Sequence, residues 1–80
     1  MTREEFREQL IRHLRRTPYR PFTVVLTNGD RFEVDDPQYV AHNIRVNGSA
    51  GGYINAQGEP FIFDHETVQE FIAAGAEAGV

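Results

Sequence analysis

Apolar residues recur at helical spacing near the start of the chain, with charged residues on the opposite side. The apolar stripe consists of Phe6, Leu10, Ile11 and Leu14. Thr2 and Glu5 have the spacing of a capping box, in which each side chain binds a backbone N–H group that the helix leaves unpaired. Pro18 disfavours helical geometry in the residue before it. The pattern therefore predicts an amphipathic helix over residues 2–16.

The next stretch of the chain alternates apolar and polar residues with a period of two, which is typical of strands. This alternation predicts strands over residues 22–27 and 31–35. Between them lies Asn28-Gly29, a pair that favours a type I′ turn because both residues tolerate a positive φ angle. The segment is predicted to be a β-hairpin.

The alternation continues in shorter pieces after the hairpin, and predicts strands over residues 40–46, 53–56 and 60–63. Residues 47–52 are rich in glycine and are expected to form a flexible loop. Residues 68–72 fit either a helix or a closing strand. The tail 73–80 consists mostly of small residues and is expected to fray, which leaves residues 1–72 as the single domain.

One helix followed by five or six short strands predicts an α+β fold that is mainly β. Turns at intervals of about eight to twelve residues are typical of a small antiparallel barrel. Closing the sheet removes the edge strands that would otherwise invite aggregation. We expect the helix to cover one open end or one edge of the barrel.

One segment also resembles a group of small bacterial proteins known mainly from genomes, planctomycete genomes among them. The shared features are the entry Pro18-Tyr19-Arg20-Pro21-Phe22, a strand that ends in Asn28-Gly29, and the later step Pro37-Gln38-Tyr39. The resemblance covers roughly residues 4–72, and the wider architecture looks like an Sm-like or SH3-like barrel.

This resemblance implies a tight turn before a closing strand, and so favours a strand at residues 68–72. The glycine usual in the second strand of Sm-like proteins is missing, because Phe32-Glu33-Val34 stands there. No position matches the RNA-contacting residues of Sm-like rings. The resemblance implies a fold and no known activity.

Composition narrows the class of protein. The chain has 80 residues, of which 40% are hydrophobic and 25% charged, as in a single globular domain. No apolar run reaches the roughly 18 residues that a membrane span needs. There is no cysteine, which excludes disulfides and thiolate sites, and no lysine, which excludes Schiff-base chemistry. We expect a soluble, cytoplasmic protein without a membrane partner.

Charge is distributed unevenly along the chain. Residues 1–20 contain six of the eight arginines and three acids, whereas residues 21–80 contain two arginines and nine acids. Guanidinium groups bind phosphate well, so the arginines at the end of the helix are the candidate nucleic-acid contacts. They are Arg12, Arg15, Arg16 and Arg20. The net charge of −4 disfavours such binding, and a solvated helix end is the simpler interpretation.

The histidines and acids suggest metal or acid–base chemistry only weakly. His13, His42 and His65 are far apart and form no recognised ligand pattern. The acids crowd one hairpin, where they are expected to form the solvent face of a strand. These acids are Asp30, Glu33, Asp35 and Asp36. No catalytic, cofactor-binding or metal-binding residue is predicted.

The aromatic residues suggest a binding surface instead. The phenylalanines are expected in the core, whereas tyrosine is enriched at interfaces, so Tyr19, Tyr39 and Tyr53 are the candidate interaction residues. We expect a non-enzymatic interaction module that binds an unknown protein partner or self-associates. The alternative is an Sm-like RNA-binding protein that uses the arginines, and a small enzyme or metal-binding domain comes third.

Overall fold

The computed structural model of this chain describes residues 1–42 and 50–73. Its elements, in chain order, are α1 (Arg3–Leu14), β1 (Phe22–Leu26), β2 (Arg31–Val34), a short 3-10 helix (Pro37–Tyr39), β3 (Val40–His42), β4 (Ala50–Ile54), β5 (Pro60–Asp64) and β6 (Val68–Ala73). The fold is therefore α+β and mainly β, as predicted.

The predicted N-terminal helix is confirmed, although α1 begins at Arg3 and ends at Leu14 rather than spanning residues 2–16. Thr2 and Glu5 form the capping box: the Glu5 N–H donates to Thr2 Oγ1, and the Thr2 N–H donates to Glu5 Oε1. Phe6 and Leu10 are buried on the inner side of the helix. No helix within residues 1–42 and 50–73 is long and apolar enough to cross a membrane.

The first sheet has the strand order β2-β1-β6, with both pairings antiparallel. The predicted hairpin is confirmed, but the predicted type I′ turn is wrong. Gly29 has a φ of +93°, whereas no described residue other than glycine has a positive φ. The Gly29 N–H donates to the Leu26 carbonyl and the Leu26 N–H donates to the Asp30 carbonyl. This is a type I turn closed by a glycine bulge, which needs only one positive φ.

The second sheet has the strand order β3-β4-β5, also antiparallel. The prediction of a flexible loop over residues 47–52 is wrong for residues 50–52, which belong to β4. Gly51 is required there by packing: a Cβ at this position would lie 2.9 Å from two ring atoms of Phe63. Residues 43–49, including most of the predicted strand 40–46, lie outside the described residues.

The closing strand is confirmed. β6 covers the predicted 68–72 and continues to Ala73, which pairs with Phe22 and was wrongly assigned to the frayed tail. The turn before β6 is built on Asp64, whose carboxylate accepts the backbone N–H groups of Glu66 and Thr67. Residues 74–80 lie outside the described residues.

The core lies between the helix and the inner faces of the two sheets. The Phe6 ring contacts Phe63 of the second sheet and Phe71 of the first, at centroid distances of 5.9 and 5.8 Å. Phe32 of the first sheet stacks on Phe61 of the second at 4.5 Å. Five of the six phenylalanines are buried core residues, as expected, and Phe61 is partly buried against them. Within the described residues, the six strands form two three-stranded sheets, and neither sheet closes into a barrel.

Candidate functional site

The register of the second sheet separates its residues into two faces. Tyr53 pairs with Val40 and Phe61, and these residues belong to or pack against the core. Successive side chains in a strand point to opposite sides of a sheet, so the neighbouring residues face outward. The same alternation places the pair Ala50 and Asp64 on the outward side, at the far end of β4 and β5. We name the rest of the outward set the apolar face; it consists of Ala41, Gly52, Ile54, Pro60 and Ile62.

The apolar face exposes two large hydrophobic side chains. Ile62 is 87% exposed and Ile54 is 52% exposed, and Tyr39, which immediately precedes β3, is 60% exposed. The two isoleucines lie on neighbouring strands, because Gly52 is opposite Ile62 and Ile54 is opposite Pro60. They belong to one patch rather than to two separate sites.

A hollow lies beside the most exposed side chain. Gly52 has no side chain, and a Cβ built on it would meet only the Phe61 carbonyl oxygen, at 3.6 Å. The neighbour of Gly52 on β3 is the small residue Ala41. The apolar face thus has a projecting Ile62 next to a depression over Gly52.

None of the five residues of the apolar face carries a charge, and charged residues lie at both ends of β5. At one end, the Glu59 carboxylate accepts the side-chain amide of Asn55 at 3.1 Å. At the other end is Asp64. Desolvation alone would raise the pKa of Asp64, but hydrogen bonds from the backbone of Thr67 and Glu66 lower it below its usual value.

The free edge of β5 offers few backbone groups for another strand. The Asn55 N–H donates to the Glu59 carbonyl, so alternation along the antiparallel ladder directs the backbone of Pro60, Ile62 and Asp64 to the free edge. Pro60 has no N–H group. The Asp64 N–H donates to Thr67 Oγ1 at 2.9 Å. Ile62 is therefore the one residue of the three with an N–H group left for strand pairing.

The prediction that Tyr53 lies on the surface is wrong. Its side chain is 3% exposed, and its ring stacks on Phe32 at a centroid distance of 6.0 Å. The Tyr53 hydroxyl accepts the Asp35 N–H at 3.3 Å and so connects the second sheet to the end of β2. Strand alternation could have placed Tyr53 and Ile54 on opposite faces, but not which of them faces the core.

The other two tyrosines lie in different surroundings. Tyr19 is partly buried, and its hydroxyl donates to the Val34 carbonyl at 2.7 Å. The pKa of Tyr19 is raised to about 12, first by desolvation and then by the nearby groups of Tyr53, Asp35, Asp36 and Glu33. Tyr39 alone among the three candidates has a largely exposed ring. The three tyrosines therefore do not form a single interaction surface.

All four arginines that were predicted as phosphate contacts are exposed, along the last turn of α1 and the segment after it. They are Arg12, Arg15, Arg16 and Arg20. Burial first, and then the charges of Arg12 and Arg16, lower the pKa of His13, whose ring stacks on Phe22 at 4.8 Å. The structure thus assigns His13 a packing role.

The remaining titratable residues do not assemble into a ligand set where the structure describes them. His65 Nε2 lies 3.7 Å from a carboxylate oxygen of Glu66. Within residues 1–42 and 50–73, no three histidine, aspartate or glutamate side chains come together in a way that could hold a metal ion. The His42 side chain lies outside the described residues.

Comparisons with known proteins add no relative: no family model matches the chain, and neither the curated proteins nor the solved structures contain a significant match.

Proposed function

We propose that this chain is a non-enzymatic interaction module that binds a protein surface, in the cytoplasm, through the apolar face. The observation that carries the proposal is the exposure of Ile62, 87%, next to that of Ile54, 52%, among five uncharged residues on one side of the second sheet. Fully burying an isoleucine side chain contributes about 1.5–3 kcal/mol. A partner that covers both side chains gains most of that free energy. The isolated chain does not gain it, because both side chains remain in contact with water.

We further propose that the two sheets are the halves of a small open barrel of the Sm-like or SH3-like kind. The strand orders β2-β1-β6 and β3-β4-β5 support this architecture, because β5 and β6 are joined by a tight turn. The contact of Tyr53 with Asp35 supports it at the other junction, between β2 and the second sheet. The resemblance to small planctomycete-type proteins remains a prediction.

The direct test is a comparison of partner capture by three forms of the protein. Ile62→Glu places a charge at the centre of the apolar face, and Gln69→Glu adds the same charge at an exposed position of β6. We expect proteins retained from a cell extract by the wild type to be retained by Gln69→Glu and lost with Ile62→Glu. Identical retention by all three forms would contradict the proposal.

The second candidate function is nucleic-acid binding through Arg12, Arg15, Arg16 and Arg20. The exposure of all four side chains within one short segment supports it, and the net charge of −4 opposes it. Binding of an oligonucleotide by these arginines must weaken steeply with salt and must be lost on reversing the charge of Arg15 and Arg16. Affinity that is insensitive to both changes would exclude this candidate.

A further inference from the structure

The apolar face is self-complementary in shape. Ile62 projects from β5, and Gly52, its direct partner on β4, leaves a hollow beside it. Opposed residues on neighbouring antiparallel strands lie only about 5 Å apart. The projection and the hollow are therefore close enough for a second identical surface to engage both at once.

We propose that the partner of the apolar face is a second copy of this chain, packed face to face about a two-fold axis. This inference rests on the proposed function and names its partner. An axis that lies between the two faces, along the strands and midway between β4 and β5, places Ile62 of each copy over Gly52 of the other. The same rotation places Ile54 of each copy over Pro60 of the other. Such reciprocal contacts define an isologous dimer.

Charge favours an identical partner over a charged one. A partner surface with charged groups would have to desolvate them against Ile62 and Ile54, which is costly. The five residues of the apolar face of a second copy bring no charge onto the two isoleucines, and the same rotation places the flanking carboxylate of Asp64 over Ala50 of the other copy. Each copy nevertheless carries a net charge of −4, so the two chains repel each other at low salt. Association of identical copies should therefore strengthen as salt screens this repulsion, which is the opposite of the salt dependence expected for arginine–phosphate contacts.

The free edge of β5 argues against the other common way of joining two sheets. Strand addition needs a row of N–H and carbonyl groups along an edge. Pro60 lacks the N–H group, and the Asp64 N–H is taken by Thr67 Oγ1. Among these three edge residues, Ile62 alone can donate an N–H group to an added strand, and this favours face-to-face packing of the second sheet over strand addition.

The area of the apolar face determines how strongly two copies are expected to associate. The described parts of β3, β4 and β5 have three, five and five residues. With strands about 4.8 Å apart and about 3.3 Å per residue, they cover roughly 200 Å². A stable dimer commonly buries about 800 Å² on each partner, so the contact belongs with weak, transient interfaces. We expect a dimer that dissociates on dilution.

Sedimentation equilibrium from micromolar to millimolar protein tests the proposal with three variants. The wild type and Gln69→Glu should approach the mass of two chains as concentration and salt rise. Ile62→Glu should associate at least about tenfold more weakly, because the contact would bury a carboxylate. Gly52→Leu should also associate more weakly, because it fills the hollow, although it makes the face more apolar.

Several results would overturn the proposal. A wild type that stays monomeric at millimolar concentration overturns it, and if Ile62-dependent capture of other proteins persists, the proposed function survives alone. Stronger association of Gly52→Leu would show unspecific hydrophobic contact instead of the reciprocal fit. Dimers that persist in Ile62→Glu, or masses beyond two chains, would assign the contact to another surface. Thermal unfolding of each variant confirms that it is folded.

Discussion

The outer faces of the two sheets differ in how their apolar residues are covered. In the first sheet, Val25 lies on the outward side, is only 6% exposed, and has Arg31 and Glu70 as its neighbours on the two adjacent strands. In the second sheet, Ile62 has Gly52 as its neighbour and is 87% exposed. Long charged side chains cover apolar surface with their aliphatic stems. The first sheet therefore completes its own outer face, whereas the second leaves its face open.

In so small a domain, few large apolar side chains are left over from the core. A chain of 80 residues needs most of its large apolar groups for the core. Residues of the core such as Phe63 are 1% exposed, while the adjacent Ile62 contributes almost nothing to folding. The exposure of Ile62 is therefore not accounted for by the stability of the core, which is why we propose a binding role for it.

The largest expected effect on stability comes from replacing two neighbouring residues of β5, one at a time, with alanine. Phe63→Ala removes a buried ring and should lower the free energy of unfolding by about 3–5 kcal/mol. Ile62→Ala, one residue earlier, should change it by less than about 0.5 kcal/mol. Urea unfolding of both variants measures the two values. A large loss for Ile62→Ala would mean that Ile62 is covered within the monomer, which would contradict the contrast between the sheets.

The two neighbouring glycines of β4 give the next largest effect. A Cβ at Gly51 would lie 2.9 Å from the Phe63 ring and 3.1 Å from the Ala41 carbonyl oxygen. Gly51→Ala should therefore cost about 1–3 kcal/mol through overpacking. Gly52→Ala meets only ordinary contact and should be neutral, or stabilising by up to about 1 kcal/mol. Equal thermal stability of the two variants would show that β4 does not have the assigned inner and outer faces.

A smaller effect on stability is expected at Tyr19, which is hydrogen-bonded to the end of β2. The Tyr19 hydroxyl donates to the Val34 carbonyl at 2.7 Å, and Tyr19→Phe removes this bond while keeping the ring. The variant should lose about 0.5–1.5 kcal/mol of stability. Tyr39→Phe serves as the control, because the Tyr39 ring is 60% exposed. Denaturation midpoints that shift equally in both variants would remove the distinction between a structural and a surface tyrosine.

The smallest effect concerns pH and the packing of α1 on the first sheet. Burial on Phe22, followed by the charges of Arg12 and Arg16, lowers the pKa of His13 in the folded state. The unfolded state therefore takes up a proton first as pH falls. Stability from this residue is fully present above about pH 6.5 and is lost as pH falls toward the folded-state pKa.

The check is to compare unfolding of the wild type and His13→Phe at a pH above and a pH below that value. His13→Phe keeps a ring against Phe22 and has no proton to gain. We expect the wild type to lose more stability than the variant on acidification. An identical pH dependence would contradict the packing role of His13.

Local patterns in the sequence predicted the helix, the first hairpin and the closing strand correctly, because each rests on interactions between residues close in the chain. The capping pair Thr2 and Glu5 is an example. The turn type could not be predicted, because Asn28-Gly29 is compatible both with a type I′ turn and with a type I turn closed by a glycine bulge. The turn in the structure requires a positive φ at Gly29 alone, +93°.

The site was harder to predict because it depends on pairing between distant residues. Gly51 and Gly52 suggested a flexible loop, and only the register with Phe63 and Ile62 shows that one glycine is needed for packing and the other leaves a hollow. Tyr53 is predicted at the surface for the same reason: its burial depends on pairing and packing with residues distant in the chain. Ile62 stands between two phenylalanines, and that run alone does not say which residue faces outward.

Backbone amide chemical shifts, followed by NMR over a dilution series, test most directly the claim that the apolar face joins two copies. If two copies meet through this face, the amide shifts of Ala41, Gly52, Ile54 and Ile62 change with concentration while those of Arg15 and Arg16 stay constant. Ile62→Glu then abolishes these changes. Shifts confined to the arginine segment, or spectra that do not depend on concentration, would contradict the claim.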